Sequence, residues 1–239
     1  AFANVTLPDI FSDNMVLQRS SEVTIWGFAN PQEEVVITPS WNNQEYKIKA
    51  SNQAKWEIKF PTPKEGGPYT ISIKGYNEVV LKNILIGEVW ICSGQSNMEM
   101  NASWGITNGE EAIKNASNPN IRFFTVPKLT ATTPQNNLSG NWTECTPETM
   151  KYFSAVGYFF AKRLQEDLKN VPIGLISSNW GGTPAEIWTP AEVIENNTVL
   201  LETAKTRKEE SYGPNQPGRA FNAMIYPLVQ FKIAGVIWY

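Results

Sequence analysis

The stretch 84–92, ILIGEVWIC, constrains the fold more than any other part of the chain. It is a nearly unbroken apolar run rich in β-branched residues, the pattern of a strand covered on both faces. The runs at 121–126 (IRFFTV), 172–178 (PIGLISS) and 233–239 (IAGVIWY) repeat it. Between them the segment 154–170 reads as an amphipathic helix. Phe153, Val156, Phe160, Leu164 and Leu168 recur at steps of three and four, while Lys162, Arg163, Glu166 and Asp167 fall off that stripe. Ser154 is placed to cap its start, and Asn170 and Pro172 mark its stop. A second helix is expected over residues 219–230, bent or shortened by Pro227. Buried strands alternating with such helices predict a parallel sheet with helices on both faces, whose ligand sits beyond the carboxyl ends of the strands.

The residues before this run obey a different period. Short alternating segments at VTIWGF, EVVITP, EYKIKA, KWEIKF, YTISIK and NEVVLK are separated by clusters of Asn, Pro and Gly. That spacing predicts an antiparallel sandwich or small barrel. Trp26, Trp41 and Trp56 fall inside it and are expected in its core rather than on a sugar-stacking surface. The chain therefore divides into a β-sandwich-like domain over 1–83 and an α/β domain over 84–239. The polar stretch 127–150 reads as a long connection of the kind that edges a site. There is no internal repeat.

Composition narrows the function. At 239 residues, 41% apolar and 18% charged, the chain is long enough to bury a core, and its net charge of −3 without clustered Lys or Arg argues against a nucleic-acid partner. No stretch approaches the roughly 20 apolar residues of a membrane-spanning helix. The opening AFANVTLPD lacks the basic and apolar regions of a signal peptide, as a mature N-terminus left by signal removal or a trimmed one would, and the expected location is secreted or periplasmic. Two cysteines, Cys92 and Cys145, are too few for a disulfide scaffold or a zinc site. They are either buried free thiols or one bridge in an oxidising compartment. Asn-x-Ser/Thr triplets at Asn4, Asn101, Asn115, Asn137, Asn141 and Asn196 matter only in a eukaryotic secretory pathway.

The strand exits carry the chemistry. After the first buried run come Ser93, Gly94, Gln95, Ser96, Asn97 and Met98. A glycine two residues before a serine permits a sharp strand-to-helix turn that exposes the hydroxyl, although the Gly-x-Ser-x-Gly elbow is incomplete because position 98 is methionine. A serine there also serves as a helix cap. After the third buried run, Gly181 and Gly182 let backbone N–H groups point into a site, as an oxyanion hole requires, or simply make a tight turn. Gln95 and Asn97 are placed to orient substrate or to support the turn. Glu88, Glu99 and Glu186 flank these motifs and rank low as carboxylate bases. The chain contains no histidine, so Ser96 has no imidazole to activate it within these residues.

GEVWICSGQSNMEM, FSAVGYFFAKRL, PIGLISSNWGGTPAEIW and FNAMIYPL…IAGVIWY, with LPDIFSDNMVLQR near the start, resemble the sialate O-acetylesterase family of SGNH hydrolases, in order and over nearly the whole chain. The resemblance implies a small N-terminal β domain joined to a partial three-layer α/β/α, flavodoxin-like esterase domain that removes O-acetyl groups from sugars without a cofactor or metal. By position, Ser96 matches the nucleophile. Its N–H and that of Gly182 match the oxyanion donors, with Gly181 the neighbouring alternative; Trp180 is a further candidate to contact substrate, beside Gln95 and Asn97. In the family the strand ending in WY continues into a QGESN motif, and an Asp-x-x-His pair supplies the base later still. The likeness breaks off at Tyr239, so the base is expected from a C-terminal remainder of the same protein and the 239 residues alone are expected to be inactive. Expressed alone, 84–239 is expected to expose sheet edge and to aggregate. The partner is an O-acetylated glycan, either sialic acid or a plant glycan. The alternative is a non-catalytic carbohydrate-binding protein in which Trp104, Trp180 and Trp188 are stacking platforms. A purely structural module with an accidental serine ranks last.

Overall fold

The computed structural model describes residues 4–207 and 213–239, so residues 1–3 of the opening stretch lie outside it. The N-terminal part runs β1 (Val16–Gln18), β2 (Glu22–Phe28), β3 (Glu34–Pro39), β4 (Tyr46–Lys49), β5 (Lys55–Pro61), β6 (Gly66–Lys74) and β7 (Glu78–Gly94). It continues through α1 (Ser96–Glu99), α2 (Gly109–Lys114), β8 (Asn118–Thr125), β9 (Trp142–Cys145), α3 (Pro147–Met150), α4 (Ala155–Asp167) and β10 (Ile173–Asn179). The last described elements are α5 (Ala191–Glu195), α6 (Thr198–Lys205) and β11 (Gly235–Trp238). Among the described residues no helix is long and apolar enough to cross a membrane.

The alternating segments form strands where the period predicts them. β2 pairs with β5 antiparallel, and β3, β4, β6 and the first half of β7 form a second antiparallel set. Alternate residues point to opposite faces of a pleated strand, so Val23, Ile25, Ile58 and Phe60 meet Val35, Ile37, Ile71 and Ile73 in one core. Trp56 is buried there too and Trp41 is half-buried at its margin, whereas Trp26 lies outside this core, half-buried on the opposite face of β2 against Phe11.

β7 is 17 residues long, against about 5–6 for an ordinary strand. It serves both kinds of sheet. Its first half pairs antiparallel with β6, while its second half lies parallel between β10 and β11, with β8 and β9 beyond β10. The division expected at 83/84 falls inside this strand. Between the pairs Leu81↔Ile71 and Ile84↔Tyr69, two residues of β7 face one residue of β6, which is a β-bulge. Asn83 occupies it in the left-handed region at φ 56°, a conformation that Asn tolerates better than most residues. The extra residue shifts the pleat by one, so the inward positions change from Val79 and Leu81 to Ile84 and Ile86. The Asn83 side chain donates to Asn14 and Glu144 and accepts from Arg122, a guanidinium only 2% exposed. Burial lowers the Arg122 pKa, and the Glu144 carboxylate opposes that shift.

Beyond the bulge both faces are covered. Val89 and Ile91 enter one core with Ile176, Phe124, Met224 and Leu228. Cys92, Leu175, Phe123, Tyr158 and Ala161 form the other. The continuous apolar runs thus reflect alternation between two interiors. Both cysteines are free and buried, and burial pushes each thiol up to about 12.

Four expectations are corrected. The most buried stripe of α4 is Tyr158, Ala161 and Gln165, and Val156, Phe160, Leu164 and Leu168 flank it half-buried. Small residues bring the helix close: a β-carbon on Gly157 would lie 2.9 Å from Cys92 Sγ. Residues 221–228 form a π-helical turn followed by a 3₁₀ turn ending the segment at Pro227–Leu228, instead of an α-helix over 219–230. The connection 127–150 contains β9 and α3, the latter closed by a Thr146/Thr149 capping box. β11 pairs only with β7 among the described residues, and Val236 and Trp238 are exposed, so this run is not covered on both faces.

Candidate functional site

The exits of the parallel strands converge at one end of the sheet. β7 ends at Gly94, whose φ of +129° is accessible to glycine and strained for other residues. A β-carbon there would also lie 2.2 Å from the Tyr239 backbone oxygen. The turn is held on both sides. Trp180 N–H donates to Gly94 at 3.0 Å, and Gln95 N–H donates to the Tyr239 backbone oxygen at 2.9 Å. The chain then enters α1, with Ser96 as its first residue.

Met98 explains why the incomplete Gly-x-Ser-x-Gly pattern still makes a fixed turn. It is fully buried in the core with Phe153 and Met150, and Ser154 Oγ donates to its sulfur at 3.3 Å. Gln95, Ser96 and Asn97 remain exposed. Among the described residues, the Ser96 hydroxyl and N–H and the side chains of Gln95 and Asn97 have no hydrogen-bond partner.

β10 delivers the second exit. Asn179 is fixed in the sheet by a 2.8 Å bond to Ser177 Oγ. The chain turns over Thr183, whose hydroxyl donates to the Trp180 carbonyl at 2.6 Å and accepts from the Trp188 indole at 3.1 Å. Trp188 is thereby buried beneath the loop, where it cannot stack on a sugar; Trp180 is half-buried and Trp104 is 54% exposed. Gly181 lies against the serine: a β-carbon on it would be 3.2 Å from Ser96 Cα and 3.3 Å from Ser96 Cβ. Its N–H donates to Glu99 Oε2 at 2.6 Å. Gly182 adopts a φ of +76°, and its N–H has no partner among the described residues.

Glu99 therefore joins the two exits. Its other carboxylate oxygen pairs with Lys128, which follows β8 and stands 5.9 Å over the Trp180 ring. Both oxygens are engaged in holding the loop against α1, which argues for positioning rather than proton abstraction. The other two carboxylates lie elsewhere. Glu88 binds Arg19 at 2.6 Å, near the start of β10 and away from the exits. Glu186 pairs with Arg207 at 3.2 Å and packs below the loop. Sequence reasoning missed Lys128 and the Tyr239 backbone oxygen. The signal was position: Lys128 lies just past the run 121–126, and Tyr239 is the last residue of the run 233–239.

Residues 86–239 match the model of a family described as carbohydrate esterase, sialic acid-specific acetylesterase. The sialate O-acetylesterase of Homo sapiens is 31% identical over 95% of this chain and 47% of its own length. That of Rattus norvegicus is 30% identical over 96% of this chain and 50% of its own. The chain spans about half the length of the curated relatives it matches. The crystal structure of a carbohydrate acetylesterase from Xanthomonas citri matches with a TM-score of 0.86 and 34% identity, covering 98% of this chain and 51% of that one.

Proposed function

The chain belongs to the sialic acid-specific acetylesterase family of carbohydrate esterases, and on that premise we propose that it carries the nucleophilic half of a carbohydrate O-acetylesterase site. The observation that carries this reading is an exposed, unpartnered Ser96 hydroxyl pressed against the Gly181–Gly182 turn. The reaction is a two-step acyl transfer. Ser96 Oγ attacks the acetyl carbonyl, a base takes the hydroxyl proton, and the sugar oxygen leaves with a proton; water then hydrolyses the acetyl-enzyme. The N–H groups of Ser96 and Gly182 receive the negative charge that develops on the carbonyl oxygen, each donor contributing about 3–4 kcal/mol in serine hydrolases. The engagement of the Gly181 N–H with Glu99 favours Gly182 over Gly181 in that role. Gln95, Asn97 and Trp180 border the sugar.

The 239 residues contain no histidine, and we assign the base to the part of such enzymes that this chain does not span. Its partners are then an O-acetylated glycan and that remaining half, and the reading places the protein in a secreted or periplasmic setting. Hydrolysis of an acetylated sugar or a simple acetyl ester tests the assignment. Residues 1–239 alone should turn over negligibly, addition of the C-terminal half should restore activity, and Ser96→Ala should abolish it. A restored complex that stays inactive but binds glycans favours the carbohydrate-binding alternative. Full activity of the isolated chain, unchanged by Ser96→Ala, overturns the role of Ser96. Fractionation of the native host with an antibody to the chain tests the location.

A further inference from the structure

A second cleft lies away from the strand exits, at the seam where β2 and β5 face the segment 226–230. It has a volume of about 400 Å³, within the range of about 300–1,000 Å³ typical of small-molecule sites. None of its lining residues belongs to the turns that carry Ser96, Gly181 or Gly182. One wall is the outer face of the β2–β5 pair. The register sets Trp26 opposite Glu57 and Phe28 opposite Lys55, so two aromatic rings and two opposite charges share that face, turned away from the sandwich core. Trp26 is half-buried and held edge-on by Phe11, with ring centroids 4.5 Å apart. A ring fixed in this way is a platform that loses little entropy when a ligand stacks on it.

The opposite wall presents Tyr226, which is 42% exposed, and Val229. Two side-chain amides, Asn136 and Gln230, complete the rim; both are exposed, and neither has a hydrogen-bond partner among the described residues. Aromatic faces bordered by unpartnered amides and a phenol suit a pyranose ring, which offers apolar C–H faces and hydroxyls around its edge. Lys55 and Glu57 cancel in charge, which favours an uncharged sugar over a carboxylated one.

We propose that this seam is a second carbohydrate-binding subsite, which takes a neutral, unacetylated pyranose. The proposal draws its ligand class from the carbohydrate esterase reading, but binding at the seam is measurable without turnover. Calorimetry and ¹⁵N-NMR titration of the chain with cellohexaose and xylohexaose, with 3′-sialyllactose for comparison, test it. A neutral oligosaccharide should bind saturably and move the resonances of the seam. Trp26→Ala and Tyr226→Ala should each weaken that binding about tenfold. Tyr226 is exposed, so its variant stays readable if Trp26→Ala disturbs folding through Phe11. Ser96→Ala and Trp180→Ala should leave binding unchanged. No saturable binding of either neutral probe, undiminished binding by Tyr226→Ala, or a preference for 3′-sialyllactose overturns the proposal. Loss of binding in Trp180→Ala alone also overturns it, by moving the ligand to the ester site and leaving the esterase reading intact. Conversely, an inactive complete enzyme whose seam still binds neutral oligosaccharide sinks the esterase reading alone.

Discussion

The two halves of β7 make an instructive pair, because one strand meets two different environments. Before Asn83 it pairs antiparallel with β6, buries one face and leaves Val80 and Lys82 exposed on the other. Past Asn83 the pairing with β6 continues to Ile86, with β1 on the other edge; from Glu88 onward the strand runs parallel to β10 and then also to β11, contributes to two cores, and ends in the turn that exposes Ser96. The first half hydrogen-bonds to β6 in a local antiparallel sheet, with Lys82 also bonded to Asp13 and Asn14, so this half serves the scaffold. In the second half all the parallel neighbours end at the same edge, and their exits must meet. The proposed chemistry sits there because backbone N–H groups and side chains from distant segments arrive together.

The sharpest test removes the chemistry from one half without touching the other. Ser96→Ala should lower kcat/KM for an acetylated sugar in the complete enzyme by on the order of 10⁴–10⁶. Ser96 is exposed and unpartnered, so thermal and urea unfolding should be unchanged. A large loss of stability would mean that this serine serves the turn rather than the reaction. The mirror experiment is Ile73→Ala. Ile73 is fully buried and sits opposite Val79, on the scaffold half. Its truncation should cost about 2–5 kcal/mol of unfolding free energy, read by urea denaturation. The kcat/KM of the folded enzyme should stay the same; a parallel fall in kcat at low denaturant would show that the halves are coupled across the bulge.

A smaller effect is expected where the exits touch. Glu99→Ala removes the acceptor of the Gly181 N–H and the partner of Lys128. Hydrogen bonds to charged groups contribute about 1.5–3 kcal/mol, so kcat should fall by roughly 10–100-fold with a smaller change in KM. Glu99→Gln keeps an oxygen for Gly181 and should recover much of the loss. Equal damage from both variants would point to the charge, and with it to Lys128, as the group that matters.

Much of this comparison was legible in the sequence, for physical reasons. A period of two produced the strands of the sandwich, and a continuous apolar run marked the doubly covered strands. The change of pattern at Asn83 coincides with the bulge that shifts the pleat. Legibility failed where neighbours decide. Residues 219–230 carry a helical pattern, but Pro227 and close packing against Ser178, whose hydroxyl donates to the Met224 carbonyl at 3.0 Å, turn them into π and 3₁₀ turns. The buried stripe of α4 was misread by about one residue because Gly157 and Ala161, small rather than apolar and large, set the approach to the sheet. At the site, Ser96 and the glycine pair stood out by position. The roles of Glu99 and Lys128 depend on contacts between segments distant in sequence, which no local pattern records.

The smallest expected effect separates the halves by titration. The first half of β7 carries only exposed charges at Glu78 and Lys82, whereas the second buries the Cys92 thiol, pushed up to about 12 by loss of water around the thiolate. Cys145 is buried on the same core and raised similarly. From an ordinary value of 9.0, an unfolded thiol ionises first while the folded one keeps its proton. The native state then binds more protons, so unfolding free energy falls as pH rises. The stabilisation is fully present below pH 9 and is lost as pH climbs toward 12. Each thiol contributes a slope of at most about 1.4 kcal/mol per pH unit. Tyrosines and lysines titrate in the same range, so the useful quantity is a difference. Urea unfolding at pH 8, 9 and 10 should show a shallower decline for Cys92→Ala than for the parent, whatever constant penalty the missing sulfur imposes. Parallel curves would mean that water reaches Cys92 in the folded protein, and that the second half of β7 is not sealed on its α4 face.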